Sequence, residues 1–266
     1  MKKKICIALI AAFSVLLIVS GYFIISHYVE ERKQNELFEN LIEQVEESET
    51  TPNEEVQLTP DKTVLPNYTD LFNQNRDMVG WISVEDTHIN YPVMQSVNEP
   101  NFYLKHGFNK QYSRYGCPYV QENCDMLAPS DNIIIYGHHM NDGTMFAELE
   151  KFKKESFWES HKIISFDTLT EQGKYEIVSV FKTVAYTDNK DDFPYYQFVN
   201  AKKPEDFKAY IDKCKALSFY DTGVSAEYGD KLITLSTCEY SRKNGRLVVV
   251  AKKVVKDTSV SDDSES

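Results

Sequence analysis

The sequence predicts a mainly β domain, a barrel or sandwich with peripheral helices, held behind an N-terminal transmembrane helix. Three observations predict it. Short runs rich in β-branched and aromatic residues recur between about residues 80 and 255. Within them only residues 204–217 carry a clear helical spacing, with Phe207, Tyr210, Ile211, Cys214 and Leu217 on one face. An uncharged apolar run, residues 5–25, opens the chain.

The apolar run comes first. As a helix rising about 1.5 Å per residue it spans roughly 30 Å, the thickness of a bilayer's hydrocarbon core. Lys2, Lys3 and Lys4 precede it, and Glu30 and Glu31 follow. That asymmetry keeps the N-terminus in the cytoplasm and sends the rest outside. Gly21-Tyr22-Phe23 offers no small-x-small cleavage site, so residues 1–28 read as an uncleaved signal anchor in a cell membrane, with the membrane contacted through 5–28. Residues 29–66 read as a tether: charged and compatible with helix to about 48, then acidic and punctuated by Pro52, Pro60 and Pro66. The folded domain is expected over 67–256, and 257–266 form a polar tail.

Within the domain, residues 80–84, 88–93, 132–136, 175–185, 231–237 and 246–255 read as strands. Pro204 suits the first turn of the 204–217 helix.

Composition narrows the function classes. The formal net charge is −12, and the three lysines before the apolar run leave the remainder more acidic still. Nucleic-acid binding draws on Lys and Arg to neutralise phosphates, so no nucleic-acid partner is expected. Five cysteines without a C-x-x-C pair fit neither a zinc site nor a disulfide scaffold. Cys117 and Cys124 could bridge a loop; the spacing leaves that open. Residues 188–192 are acidic but lack the ligand spacing of a calcium loop, so a solvated loop, no metal and no cofactor are expected.

The chemistry concentrates in two strand ends. Thr234-Leu235-Ser236-Thr237-Cys238 closes one strand, and Arg246 opens the next. Paired as a hairpin, the two bring a thiol and a guanidinium together, and the cation favours thiolate and steadies charge on a carbonyl oxygen. Tyr136-Gly137-His138-His139 follows a third strand and supplies an imidazole for general acid–base work. The order His, Cys, Arg differs from the Cys, His, Asn order of papain-like enzymes. Singly, each residue has a plainer reading. Cys214 is expected to be a buried, inert thiol, and His88, His106 and His161 ordinary polar residues.

Together these segments resemble the sortases. Thr234-Leu235-Ser236-Thr237-Cys238 with Gly245-Arg246 resembles their catalytic end, and the Leu-Ser-Thr form is similar to class B. The run from Asn132 through His138, His139 and Met140, then Asp142-Gly143-Thr144-Met145-Phe146, is similar to the class B histidine segment, and Gly80-Trp81-Ile82 and Ile89-Asn90-Tyr91-Pro92-Val93 resemble its early strands. The resemblance covers roughly residues 70–255. It implies a closed eight-stranded sortase-like β-barrel and a cysteine transpeptidase at a Gram-positive-type surface. Its protein partners carry a C-terminal sorting signal, cleaved after Thr. The acceptor is an amine of peptidoglycan or its lipid-linked precursor.

Carried over by position, Cys238 is the nucleophile, His138 the general acid and base with His139 as alternative, and Arg246 the oxyanion-side cation with Arg242 the weaker candidate. Leu104, Tyr136, Ser236 and Thr237 are expected along the substrate groove, and the backbone N–H of Glu239 beside the oxyanion. A pilus-building or hydrolytic sortase, and a surface binding module without catalysis, are the alternatives. The absence of an apolar run after Val255 speaks against the pilus type.

Overall fold

The computed structural model describes residues 2–48, 55–186, 189 and 192–255. The tail after 255 and most of the acidic stretch 188–192, read above as a solvated loop, lie outside the described residues. The chain divides into two compact units, residues 1–43 and 44–266.

The first unit belongs to α1 (Lys2–Ser48), a single helix that runs from the apolar segment through the charged stretch to residue 48. Its leading part is apolar all round, with Leu17 75% and Ile24 70% exposed, and is long and apolar enough to cross a membrane.

In the second unit, a two-stranded ribbon, β1 (Gln57–Thr59) and β2 (Lys62–Thr63), leads to α2 (Thr69–Gln74). Ordered packing thus begins before residue 67: Val64 is buried, and Leu65 N–H donates to the Leu169 carbonyl at 2.7 Å. The barrel strands are β3 (Met78–Ser83), β4 (Asn90–Met94), β5 (Tyr119–Val120), β6 (Asn132–Tyr136), β7 (Ile163–Thr168), β8 (Lys174–Val184), β9 (Leu232–Cys238) and β10 (Gly245–Lys253). The short helix α3 (Glu155–Ser160) precedes β7, and α4 (Pro204–Leu217) lies in the long connection from β8 to β9. The eight strands close in the order β10-β8-β7-β3-β4-β5-β6-β9. Pairing is antiparallel except β4 with β5 and β6 with β9.

The long central strands read as continuous apolar runs because both of their faces are covered. One face of β6, β9 and β10 turns Ile133, Ile135, Ile233, Leu235, Leu247 and Val249 into the barrel. The other presents Asn132, Thr234 and Ser236, covered by α4 and the segment before it. Tyr210 of α4 meets the Thr234 hydroxyl at 3.2 Å and Phe193 packs on Phe181. A helix buries its stripe against that outer face through Phe207, Tyr210, Ile211 and Cys214, as the spacing requires. Cys214 is fully buried, and its thiol is pushed up to about 12 by that burial. Cys117 and Cys124 are both unpaired thiols in the interior.

Candidate active site

Three adjacent strand ends meet at one end of the barrel. In the β9–β10 hairpin Arg246 stands directly opposite Cys238. Side chains opposite each other in an antiparallel pair share a face, with Cβ atoms about 5 Å apart. On the other flank β6 runs parallel to β9 with Tyr136 beside Ser236. His138 and Cys238 each follow two residues later, so the register brings them to the same level.

Two glycines make this possible. A Cβ on Gly137 would sit 2.5 Å from the ring of Phe146, and one on Gly245 would sit 2.3 Å from the Glu239 carbonyl. Phe146 is fully buried, and its N–H donates to the His138 carbonyl at 2.8 Å. The histidine loop is further tied by Asp142, which accepts from the Tyr115 hydroxyl at 2.6 Å and from Thr144 N–H at 3.0 Å. Burial raises the Asp142 carboxyl, but these hydrogen bonds outweigh it and hold the group below its usual range.

The two histidines face different partners. His138 Nε2 lies 2.7 Å from the Leu104 carbonyl, at the end of the 3-10 turn Phe102–Leu104. His139 Nδ1 lies 3.1 Å from the carbonyl of Cys238. Arg246 spends one donor on the Gly245 carbonyl at 2.9 Å. Burial pushes the hydroxyls of Tyr195 and Tyr119 up, and the nearby charge of Arg246 opposes the shift at both.

The remaining expected residues divide by strand parity. Ser236 shares the face of Cys238 but is 1% exposed, covered by Tyr195, whose hydroxyl meets its own at 2.6 Å. Tyr136 lies on the same face, half-buried, bonded to Gln121 and packed on Tyr119 at 5.5 Å. Leu104 meets the site through its carbonyl, the partner of His138 Nε2. Thr237 alternates to the opposite, interior side with Leu247, so its side chain points away from the Cys238 face. Its hydroxyl has no hydrogen-bond partner among the described residues. Glu239 is also displaced from the expected role. Its N–H closes the hairpin on the Gly245 carbonyl at 3.0 Å and does not point to an oxyanion. Arg242 lies out in the exposed turn. Tyr195, which the sequence reading passed over, sits in the aromatic stretch 193–198 of the β8–β9 connection; that density of rings was the available signal.

Glu239 instead anchors the hairpin. Its side chain is 8% exposed and reaches Lys182 at 3.1 Å and Lys153 at 3.2 Å, with Ser241 N–H donating at 3.1 Å. Burial would raise its carboxyl; the Ser241, Lys182 and Lys153 contacts outweigh that and bring it to about 2. A carboxyl depressed in the folded state stabilises above its unfolded value, near 4.3, and loses that stabilisation as pH falls through the folded value. Glu239→Gln is therefore expected to cost about 2 kcal/mol at pH 7. Chemical denaturation of both proteins should show the gap closing as pH falls from about 5 towards 2; a gap unchanged across that range would exclude the ion-pair account.

A Sortase domain family model matches residues 82–254. The chain is 34% identical over 242 residues to sortase B of Staphylococcus aureus, across 90% of this chain and 92% of that protein. It is 35% identical over 189 residues to sortase B of Listeria monocytogenes, across 70% of this chain and 74% of the relative. Among solved structures, a Staphylococcus aureus sortase B–substrate complex superposes with a TM-score of 0.73 at 31% identity, covering 85% of this chain and 98% of that one. Clostridium perfringens sortase B superposes at 0.62 with 34% identity, covering 70% and 98%. This chain therefore belongs to the sortase family of cysteine transpeptidases and is of the class B type.

Proposed function

We propose that the chain is a membrane-anchored transpeptidase whose Cys238, His138 and Arg246 cleave the C-terminal sorting signal of secreted proteins after Thr. The acyl group then passes to an amine of peptidoglycan or its lipid-linked precursor. The observation that carries this reading is the cross-strand pair Cys238–Arg246, with His138 at the end of the parallel neighbouring strand.

The Cys238 thiol passes its proton to His138 Nδ1 as its sulfur attacks the Thr carbonyl carbon, and the carbonyl electron pair moves onto oxygen. Arg246 donates to that oxyanion, where charge develops. As the C–N bond breaks, His138 gives its proton to the departing amine and a thioester remains. The incoming amine attacks the thioester, His138 takes its proton, and the Cys238 thiolate leaves. The Leu104 carbonyl can only accept, so His138 Nε2 carries a hydrogen and Nδ1 is the nitrogen that exchanges the proton. Tyr136 lines the groove on the Cys238 face, with Leu104 as its wall and the buried Ser236 holding Tyr195 behind it. The Lys-rich start and the apolar segment of α1 support a single-pass anchor with the catalytic unit outside.

The test is a panel of fluorogenic peptides containing Pro-x-Thr, with and without a glycine-based amine. Cleavage after Thr, a thioester adduct by mass spectrometry and an amide product with the added amine are expected. Folded protein that cleaves no panel peptide and forms no adduct would leave a non-catalytic binding module as the better account.

A further inference from the structure

We propose that His139 is a positioning residue that locks the loop carrying His138 to the strand end carrying Cys238. The kinetic consequence rests on the transpeptidase reading; the geometry does not.

The β6–β9 ladder ends just short of the chemistry. Its last bond runs from Gly137 N–H to the Ser236 carbonyl at 3.1 Å, and His138 and Cys238 lie beyond it. The next cross-link is made by a side chain. His139 Nδ1 lies 3.1 Å from the Cys238 carbonyl, which only accepts, so Nδ1 bears a hydrogen. The link is returned from the other side. Tyr240 donates its hydroxyl to the His139 carbonyl at 3.1 Å, and the two rings meet edge to face with centroids 5.2 Å apart. Each side chain thus holds the other segment's backbone, across sequence separations of 99 and 101 residues.

The clasp has its own support. Glu150 Oε1 lies 4.0 Å from His139 Nδ1, the same nitrogen that meets the Cys238 carbonyl. Glu150 is paired to Lys153, Lys153 also reaches Glu239, and Glu239 reaches Lys182. This line of charges joins the histidine loop, the 3-10 segment Ala147–Lys153, the cysteine hairpin and β8. His138, one residue earlier, turns to the Leu104 carbonyl instead. The two histidines therefore grip opposite walls and are not interchangeable: one is placed to move a proton, the other to hold the backbone of the nucleophile. A displacement of about 1 Å between reacting groups can cost up to about a hundredfold in rate.

The experiment uses the full chain in detergent micelles. His139→Ala should lower kcat on a cleaved signal peptide about tenfold or more, with KM within about twofold and little change in thermal midpoint. His139→Asn, whose amide nitrogen overlays Nδ1, should restore kcat to within about threefold. Tyr240→Phe should lose about threefold, and the double variant with His139→Ala should be no worse than His139→Ala alone, because the two bonds form one unit. Spectra of 15N-histidine-labelled protein, assigned through His139→Asn, should show position 139 as the Nδ1–H tautomer. Unchanged kcat in His139→Ala, a loss that His139→Asn does not repair, or an Nε2–H tautomer at 139 would each overturn the proposal. If the wild type cleaves no peptide, the transpeptidase reading falls, and the tautomer alone decides the clasp.

Discussion

Cys238→Ala is expected to reduce signal-peptide cleavage by at least about 10⁴-fold and to abolish the thioester adduct, while leaving the fold intact. The argument is one of elimination as well as position. The chain has five cysteines. Cys6 lies in the apolar helix. Cys117, Cys124 and Cys214 are buried, and burial pushes their thiols up, to about 11 for Cys124 and about 12 for Cys214. Such groups supply almost no thiolate at neutral pH. Cys238 alone ends a strand whose six preceding residues are buried while it remains half-exposed. A rigid strand thus delivers a single accessible sulfur to the barrel's rim. Little packing is lost with that sulfur, so the thermal midpoint should move by only a few degrees. Assays on both proteins with the same peptide settle it: cleavage by the variant above about 1% of wild type would remove Cys238 from the chemistry.

That strand end was readable because its signals are local. Apolar runs such as 132–136 and a helical face such as 204–217 announce themselves within a dozen residues, and both elements match the observed bounds. The pairing of Cys238 with Arg246 followed from two strands joined by a short polar turn. What was missed depends on partners distant in sequence. β5 has only two residues and shows no period, and β7 places Ile163, Ile164 and Phe166 without strict alternation. Closure into eight strands was implied by the family resemblance, whereas the residues by themselves left barrel and sandwich open. The assignment of Thr237 to the groove ignored a rule that needs no structure. Counting by twos from Cys238 keeps Ser236 on its face and sends Thr237 to the other, whereas the Glu239 N–H is taken by the Gly245 carbonyl, a pairing set by the turn. His139 and Tyr195 could not be sorted this way, since their roles are set by residues 99 and 41 positions away.

Arg246→Ala is expected to lower kcat by about 10²–10³-fold with a much smaller change in KM, and Arg246→Lys to recover little of it. The cross-strand register sets Arg246 directly opposite Cys238, and one guanidinium donor is already fixed on the Gly245 carbonyl. That bond orients the planar group so that its remaining N–H bonds project in set directions. A lysine ammonium brings the charge without the fork, and its flexible stem has no such bond to steady it. Two uses of the cation must be separated. If Arg246 served mainly to hold Cys238 as thiolate, its loss would slow alkylation by iodoacetamide as much as peptide cleavage. If it serves the oxyanion, alkylation has no tetrahedral intermediate to stabilise and is spared. The second pattern is expected: cleavage down by about 10² or more, alkylation changed by less than about threefold. Parallel loss of both rates would reassign Arg246 to the thiol. A lysine variant with near-normal kcat would show that charge alone suffices, since the directional donors that distinguish arginine would then have been removed without consequence.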